Sequence, residues 1–165
     1  CMLMTLQNNC DRVKMACLAQ LVNVIAPIMT DNGGAAWVQT IFYPFMYAST
    51  YGNGTAMKPV IKCDSYKSGQ FTVPFVETSI INNDEEKEIV LFAVNRSLEE
   101  DIEITFTAEN FGDCTLVEHV ELYSDDMNAI NDRDTERVAP VKVEASADGK
   151  INLKKHSWNM LRFKY

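Results

Sequence analysis

The segment IVLFAV, residues 89–94, is apolar at every position. A strand that is buried on both faces needs such a run, whereas a strand with one solvent face alternates apolar and polar residues. The turn formers Asn82, Asn83 and Asp84 lie just ahead of it, so it can be entered from a tight turn. The sequence therefore predicts the central strand of a sheet at residues 89–94.

Short alternating segments follow this strand. Apolar and polar residues alternate at 102–106, 141–144 and 151–153, and Leu161-Arg162-Phe163 suggests a last strand held in a sheet. Turn formers separate these segments at residues 110–113, 124–126 and 147–149. Many short strands at such spacing predict a mainly β protein built on an antiparallel β-sandwich of jelly-roll-like type. We place this domain at residues 55–165.

The first fifty residues have a different period. Val13, Cys17, Leu21 and Val24 recur at helical spacing and predict a helix from about residue 11. Residues 24–29 form a short apolar run that fits either a buried strand or the end of a core helix, and Pro27 favours the strand or a helix end.

A cluster of turn formers at residues 30–34 ends this run, and residues 40–48 predict a second helix that Gly52-Asn53-Gly54 would end. The order helix, strand, loop, helix is typical of a β/α architecture. If residues 24–29 are a strand of a β/α barrel, residues 31–39 are a loop at its ligand-binding end. In that loop Trp37 offers a flat face for a sugar ring, and Gln39 offers a donor and an acceptor for hydroxyls. The alternative is that Trp37 packs in a core and Gln39 caps the following helix.

Composition excludes several classes. The net charge of −8 argues against a nucleic-acid surface. No stretch of 18 apolar residues occurs, so we expect no membrane partner. The five widely spaced cysteines predict neither a disulfide framework nor a zinc site, and they fit reduced thiols in the cytoplasm. Because the chain starts with Cys1 and shows no signal-peptide pattern, we expect it to be cut from a longer one.

The polar residues do not suggest a catalytic site. The acidic runs at 84–86, 99–101 and 125–126 are typical of solvated turns. His119 and His156 lack a nearby nucleophile or metal-ligand motif, so we expect structural roles for both. The sequence therefore predicts no catalytic residue, no metal site and no cofactor in this chain.

Residues 11–54, with the motif Trp37-Val38-Gln39, resemble the end of the catalytic barrel of intracellular α-L-arabinofuranosidases of glycoside hydrolase family 51. The segments EIVLFAVNRSLEEDIEI, LVEHVELYSDDMNAIN, ERVAPV and HSWNMLRF resemble that family's C-terminal β-sandwich domain. The resemblance implies that residues 1–54 are the last piece of a (β/α)8 barrel. It assigns residues 11–23 to the seventh barrel helix, 24–29 to the eighth strand and 40–51 to the last helix.

The resemblance also implies an activity. Enzymes of this family remove terminal non-reducing α-L-arabinofuranosyl groups from arabinan and arabinoxylan with retention, which needs two carboxylates about 5–5.5 Å apart. The family places both glutamates on earlier barrel strands, so they are absent from this chain. Its substrate-binding glutamine corresponds to Gln39, with Trp37 in the same pocket. Val38 stands where the family usually has arginine, which removes a charge near the site.

Two roles remain open for residues 55–165. The domain could be a carbohydrate-binding module that uses exposed aromatic side chains, for which Tyr66, Phe71, Phe75, Tyr123 and Trp158 are available. We favour a structural domain that braces the barrel and takes part in contacts of a homo-oligomer. In that case an arabinose-containing oligosaccharide is the partner of the parent enzyme rather than of this domain.

Overall fold

The structure is a computed structural model that describes residues 1–144 and 150–165. The turn expected at residues 147–149 lies outside the described residues. The described part contains two helices, α1 (Met2–Asn8) and α2 (Phe42–Tyr51). Its strands are β1 (Ile28–Thr30), β2 (Ala36–Val38), β3 (Thr55–Met57), β4 (Ser65–Ser68), β5 (Phe71–Pro74), β6 (Val76–Asn83), β7 (Glu88–Asn95), β8 (Ile102–Ile104), β9 (Thr115–Leu122), β10 (Val141–Lys142), β11 (Ile151–Leu153) and β12 (Trp158–Lys164).

The main sheet has six strands in the order β10-β9-β12-β7-β6-β3, and every neighbouring pair is antiparallel. The central strand predicted at residues 89–94 is confirmed, since β7 lies between β12 and β6 and its apolar side chains are almost all buried. The last strand, β12, is likewise held between β7 and β9. The protein is mainly β with antiparallel sheets, as the alternating segments predict.

One face of the main sheet packs against a second layer. This layer contains the antiparallel pair β8–β11, in which Ile104 lies opposite Ile151. Leu91 and Leu161 of the main sheet are buried in one cluster with Leu153 of β11. Phe106 stacks on Phe163 with 4.3 Å between ring centroids. The alternating segments at 102–106 and 151–153 therefore supply the apolar cover that this face needs.

The opposite face packs against the two helices. Met4 of α1 is 2% exposed and lies in a cluster with Ile81, Val90, Phe92, Val120 and Met160. Tyr47 and Tyr51 of α2 pack against the same cluster. Because side chains alternate along a strand, β7 sends Val90 and Phe92 to this face and its neighbours to the other. The two helices thus complete the hydrophobic core on this face of the main sheet.

Polar contacts fix α1 on the sheet. The Ser79 hydroxyl, which is buried, donates to Oε1 of Gln7 at 2.6 Å. The Asn8 amide donates to the main-chain oxygen of Thr78 at 2.9 Å. Both bonds join α1 to β6, so the register of the helix on the sheet is set by hydrogen bonds as well as by the buried methionine.

Arg162 is the centre of an ion cluster at the end of the sheet. Its guanidinium bonds both oxygens of Glu88, at 3.0 and 2.7 Å, and Oε2 of Glu118 at 2.8 Å. It also lies 4.8 Å from the ring centre of Tyr51 in α2. Burial alone would raise the pKa of Glu88 and of Glu118, but hydrogen bonds from Arg162 and from Lys164 or Lys142 outweigh it and lower both pKa values.

The helix predicted from about residue 11 to 23 is wrong. The chain turns at Cys10–Arg12 and then runs without regular structure to β1, apart from a single bridge at Val22. Leu21 and Val24 are 79% and 81% exposed, so the expected apolar face meets no core, and an amphipathic helix draws most of its stability from such packing. Gln20, Asn23 and Val24 have positive φ, which excludes a right-handed helix there.

The strand predicted at residues 24–29 is shorter and shifted. Strand β1 begins only at Ile28, and it pairs antiparallel with β2. Part of the expected loop at 31–39 is therefore itself a strand. A backbone with an exposed edge must find hydrogen-bond partners, and the hairpin provides them locally. The second helix is confirmed as α2, which ends at Gly52.

The polar residues take the structural roles expected from the sequence. The three acidic runs at 84–86, 99–101 and 125–126 are exposed. His119 is buried and bonds Oδ1 of Asn159 through Nε2 at 2.8 Å. His156 stacks on Tyr123 with 5.2 Å between ring centroids.

We expect Met4→Ala to lower the free energy of unfolding by about 2–4 kcal/mol, because it opens a cavity under α1. Met2→Ala is the matched control on the same helix: Met2 is 75% exposed, so its loss should change stability by less than about 0.5 kcal/mol. Urea denaturation followed by circular dichroism measures both. Equal effects of the two substitutions would show that α1 does not pack on the sheet.

We expect Arg162→Met to lower the free energy of unfolding at neutral pH by about 2–3 kcal/mol, less than for a fully buried pair because Lys142 and Lys164 remain near the carboxylates. The wild-type pKa values of Glu88 and Glu118 lie below the ordinary 4.5. Their stabilising contribution is thus complete above about pH 4.5 and is lost as pH falls through the lower folded values. Denaturation curves between about pH 7 and pH 3 should show that the free energy of unfolding falls less steeply with acidification in the variant than in the wild type.

The control is Arg12→Met, at an exposed arginine, which should match the wild type. If the free energy of unfolding of Arg162→Met depended on pH as it does in the wild type, this account would be contradicted.

Candidate functional site around Gln39

A hairpin carries the residues that the sequence singles out. Strands β1 and β2 pair Met29 with Trp37. The turn between them is closed by the amide of Gly34, which donates to the carbonyl of Asp31 at 3.2 Å. Gly33 has a φ of +66°, a conformation that a residue without a Cβ adopts freely. The cluster of turn formers at residues 30–34 therefore makes a tight hairpin.

Asn23 fastens the hairpin to the segment before it. Its side-chain oxygen accepts from the amide of Thr30 at 2.7 Å, and its Nδ2 donates to the Thr30 hydroxyl at 2.9 Å. Its own amide donates to the carbonyl of Ile28 at 2.8 Å. These bonds hold the irregular segment before β1 against the hairpin despite its exposed apolar side chains.

Gln39 joins the hairpin to α2. Its amide N–H donates to the carbonyl of Pro27 at 2.8 Å, and its own carbonyl accepts from the amide of Phe42 at 2.9 Å. Its half-buried side chain donates through Nε2 to the carbonyl of Asn131 at 3.3 Å. The side chain thus reaches across to a distant loop, whereas the start of α2 is capped by no side-chain hydrogen bond in the described part of the chain.

Trp37 lies two residues before Gln39, inside β2, and is half-buried. Its indole Nε1 is buried and finds no acceptor among the residues that the structure describes. A buried N–H without a partner costs free energy, and such groups in native proteins call for an explanation. Trp37 and Gln39 therefore lie on one short segment, and the indole N–H of Trp37 has no hydrogen-bond acceptor among the described residues.

The loop at residues 131–138 is the distant element that Gln39 contacts. Asn131 is 2% exposed, and its side chain closes the loop through two hydrogen bonds to the backbone of Val138, at 2.8 and 2.9 Å. Inside the loop, Oδ1 of Asp132 accepts from the amides of Asp134 and Thr135, at 3.0 Å each. Hydrogen bonds within the loop thus hold its backbone in place, while residues 133–137 are exposed.

This loop makes two further contacts beside Gln39. The hydroxyl of Tyr43, a buried residue of α2, donates to the carboxylate of Glu136. Burial and this carboxylate together raise the pKa of Tyr43 well above its ordinary value. Arg133 lies 3.1 Å from Asp31 at the hairpin turn. Sequence reasoning missed Tyr43, Asn131 and Glu136, because the partners in these contacts lie more than 90 positions apart.

The arrangement offers hydrogen-bond donors and acceptors rather than acid–base chemistry. The pKa values of Asp84, Glu88, Asp101, Glu118 and Asp132 lie below the ordinary values of these carboxyls, whereas a general acid needs a raised pKa. Among residues 1–144 and 150–165, no cluster of His, Cys, Asp and Glu could hold a metal ion. The helices of this part are also too short and polar to span a membrane.

The aromatic residues considered for sugar binding are mostly engaged within the protein. Tyr66 packs on Phe75, with 5.0 Å between their ring centroids, and Trp158 packs on Phe92 at 6.1 Å. Tyr123 stacks on His156, whereas Phe71 is 64% exposed. A flat platform of several exposed rings, as a sugar-binding sheet face requires, does not form from these five residues.

The structure thus defines a mainly β domain in which the loop at residues 131–138 contacts the segment formed by the β1–β2 hairpin and α2. The α-L-arabinofuranosidase C-terminal domain family matches residues 1–157, and the chain belongs to this family. It is 42% identical over 99% of its length to an intracellular exo-α-(1→5)-L-arabinofuranosidase 1 of Bacillus subtilis. It is 45% identical over 98% to an intracellular exo-α-(1→5)-L-arabinofuranosidase of Halalkalibacterium halodurans.

A solved structure agrees with this assignment. A family 51 α-L-arabinofuranosidase from Bifidobacterium longum superposes with a TM-score of 0.92 over 99% of this chain, at 31% identity. The chain corresponds to 32% of that protein and to 33% of each of the two curated relatives. It therefore spans about a third of the length of the proteins it resembles.

Proposed function

We propose that the chain is the C-terminal part of a retaining α-L-arabinofuranosidase that hydrolyses terminal non-reducing α-L-arabinofuranosyl residues of arabinan- and arabinoxylan-type oligosaccharides. The observation that carries this proposal is 42–45% identity over nearly the whole chain to two proteins named as intracellular exo-α-(1→5)-L-arabinofuranosidases. Their names also support a cytoplasmic location. Within the enzyme, residues 55–165 have a structural role.

In this proposal the two catalytic glutamates belong to the part of the enzyme that lies outside this chain. Retaining hydrolysis needs one carboxylic acid that stays protonated and one ionised nucleophile. The carboxylates of Glu88, which is buried, and of Glu118, which is half-buried, instead bond Arg162, which keeps them ionised. This supports a chain that does not cleave the sugar by itself.

We infer that residues 1–54 are the final piece of a (β/α)8 barrel and residues 55–165 a jelly-roll-like sandwich. A groove of about 420 Å³ between the segment before β1 and α2 supports this division, since it is lined by apolar residues such as Leu21, Pro27 and Phe45. Met15, Leu21 and Val24 are each about four-fifths exposed. Apolar surface of this extent marks an interaction site, and preceding barrel elements would cover it.

Gln39 and Trp37 are the proposed sugar contacts. Gln39 lies at the end of the hairpin with one side-chain hydrogen bond recorded among the described residues, so its amide retains bonding capacity for hydroxyls. Trp37 is half-buried on the same segment, so the accessible part of its indole ring can line the sugar pocket. We also propose a homo-oligomer, supported by β3 and β10 being the two edge strands of the main sheet, because an edge strand can pair with another chain.

The test is hydrolysis of an aryl α-L-arabinofuranoside. We expect no turnover by this chain alone and turnover by the full-length protein that carries it. In the full-length protein, Gln39→Ala should lower kcat/KM about 10–100-fold, because a hydrogen bond to the sugar is lost. Gln70→Ala, at an exposed glutamine in the turn between β4 and β5, is the control and should leave kcat/KM unchanged.

Each outcome bears on a separate part of the proposal. Turnover by the isolated chain would contradict the placement of the glutamates, and an inactive full-length protein would contradict the activity itself. An active protein in which Gln39→Ala has no effect would remove the sugar-binding role of Gln39 alone.

A further inference from the structure

We propose that the loop at residues 131–138 is a positioning element that sets the side-chain amide of Gln39 for the substrate, with Asn131, Tyr43 and Glu136 as its positioning residues. This inference rests on the proposed role of Gln39 as a sugar contact. It gives the β domain a part in building the active site, beyond bracing the barrel.

The first step of the argument is the chemistry of the Gln39 amide. A glutamine side chain presents a donor end and an acceptor end, and rotation by 180° exchanges them. The carbonyl of Asn131 can only accept, so it holds the Nε2 end of Gln39 towards the loop. Oε1 and the second N–H are then left in a fixed order for the hydroxyls of a ligand.

The second step is the stiffness of the loop that carries this carbonyl. The side chain of Asn131 is buried, and both its Nδ2 and its Oδ1 bond the backbone of Val138. The Asp132 carboxylate accepts two amides of the loop and lies 3.1 Å from Arg137. An acceptor that is held in this way keeps its place when the substrate binds, which is what preorganisation requires.

The third step is that the loop also bonds α2, the helix that follows Gln39. Tyr43, in the first turn of α2, is 7% exposed and bonds Glu136. The contact therefore fixes the start of α2 relative to the same loop that fixes the Gln39 side chain. The Arg133–Asp31 pair adds a third point at the hairpin turn, but both side chains are well exposed, so this pair contributes little.

These contacts differ from an ordinary domain interface in their location. They converge from three successive parts of the hairpin–helix segment, at Asp31, Gln39 and Tyr43, on one eight-residue loop. A displacement of about 1 Å in a group that contacts the reacting substrate can cost about 100-fold in rate. An interface that served stability alone would act on activity independently of Gln39.

The experiment is a double-mutant cycle in the full-length protein. Tyr43→Phe removes the hydroxyl that bonds Glu136 and keeps the ring, and it is combined with Gln39→Ala. We expect Tyr43→Phe alone to lower kcat/KM about 3–10-fold on an aryl α-L-arabinofuranoside, and to lower it no further once Gln39 is alanine.

Two substitutions of Glu136 test the same contact from its other partner, so the conclusion does not depend on Tyr43→Phe alone. Glu136→Ala, at an exposed position, should reproduce the loss, and Glu136→Gln should restore most of the activity because it keeps an acceptor for Tyr43. Tyr47→Phe is the matched control on the same helix: Tyr47 packs on Trp158 of the β domain core, and removing its hydroxyl should leave kcat/KM unchanged.

Additive losses from Tyr43→Phe and Gln39→Ala would show that the loop acts on stability or on another group, and would overturn the inference. An unchanged kcat/KM in both Tyr43→Phe and Glu136→Ala would overturn it as well. If Gln39→Ala itself has no effect while the wild type hydrolyses the substrate, the proposed role of Gln39 fails and the inference fails with it.

Discussion

Strand β7 is buried on both faces, and the rest of the structure follows from the need to cover them. The pair β8–β11 covers one face, and the helices α1 and α2 cover the other. A strand with two buried faces is stable only when both layers are present. The segment that the family resemblance assigns to the barrel is therefore also part of the β domain's core, and the two parts of the chain share one hydrophobic interior.

If Gln39 is a sugar contact as proposed, this shared interior gives the β domain a way to act on the sugar site. The helices carry the connection at one end, where Arg162 bonds Glu88 and Glu118 and lies against Tyr51. The loop at residues 131–138 carries it at the other end, where it meets Gln39 and Tyr43. The position of Gln39 is thus determined both by its own hairpin–helix segment and by the loop at residues 131–138.

Periodicity and turn chemistry were sufficient for β7, β8, β10, β11, β12 and α2, because apolar patterns and the glycines at 52 and 54 are local signals. The helix expected at residues 11–23 failed because its apolar residues find no cover among the described residues, and spacing alone says nothing about what covers a face. The resemblance predicted Gln39 and Trp37 as site residues, and this stays a prediction. The contacts of Gln39 with Asn131 and of Tyr43 with Glu136 were not predicted, since the loop that carries Asn131 and Glu136 shows no motif and meets its partners across more than 90 positions.

The central claim is that the helices and the sheet form a single cooperative unit. Native-state amide hydrogen exchange on this chain tests it most directly, because it reports the free energy of opening for each segment. We expect the protected amides of α1 and α2 to open with the same free energy as those of β7, while residues 13–25 exchange far faster. Fast exchange in both helices beside a protected β7 would show that the sheet stands without them, and would contradict the account.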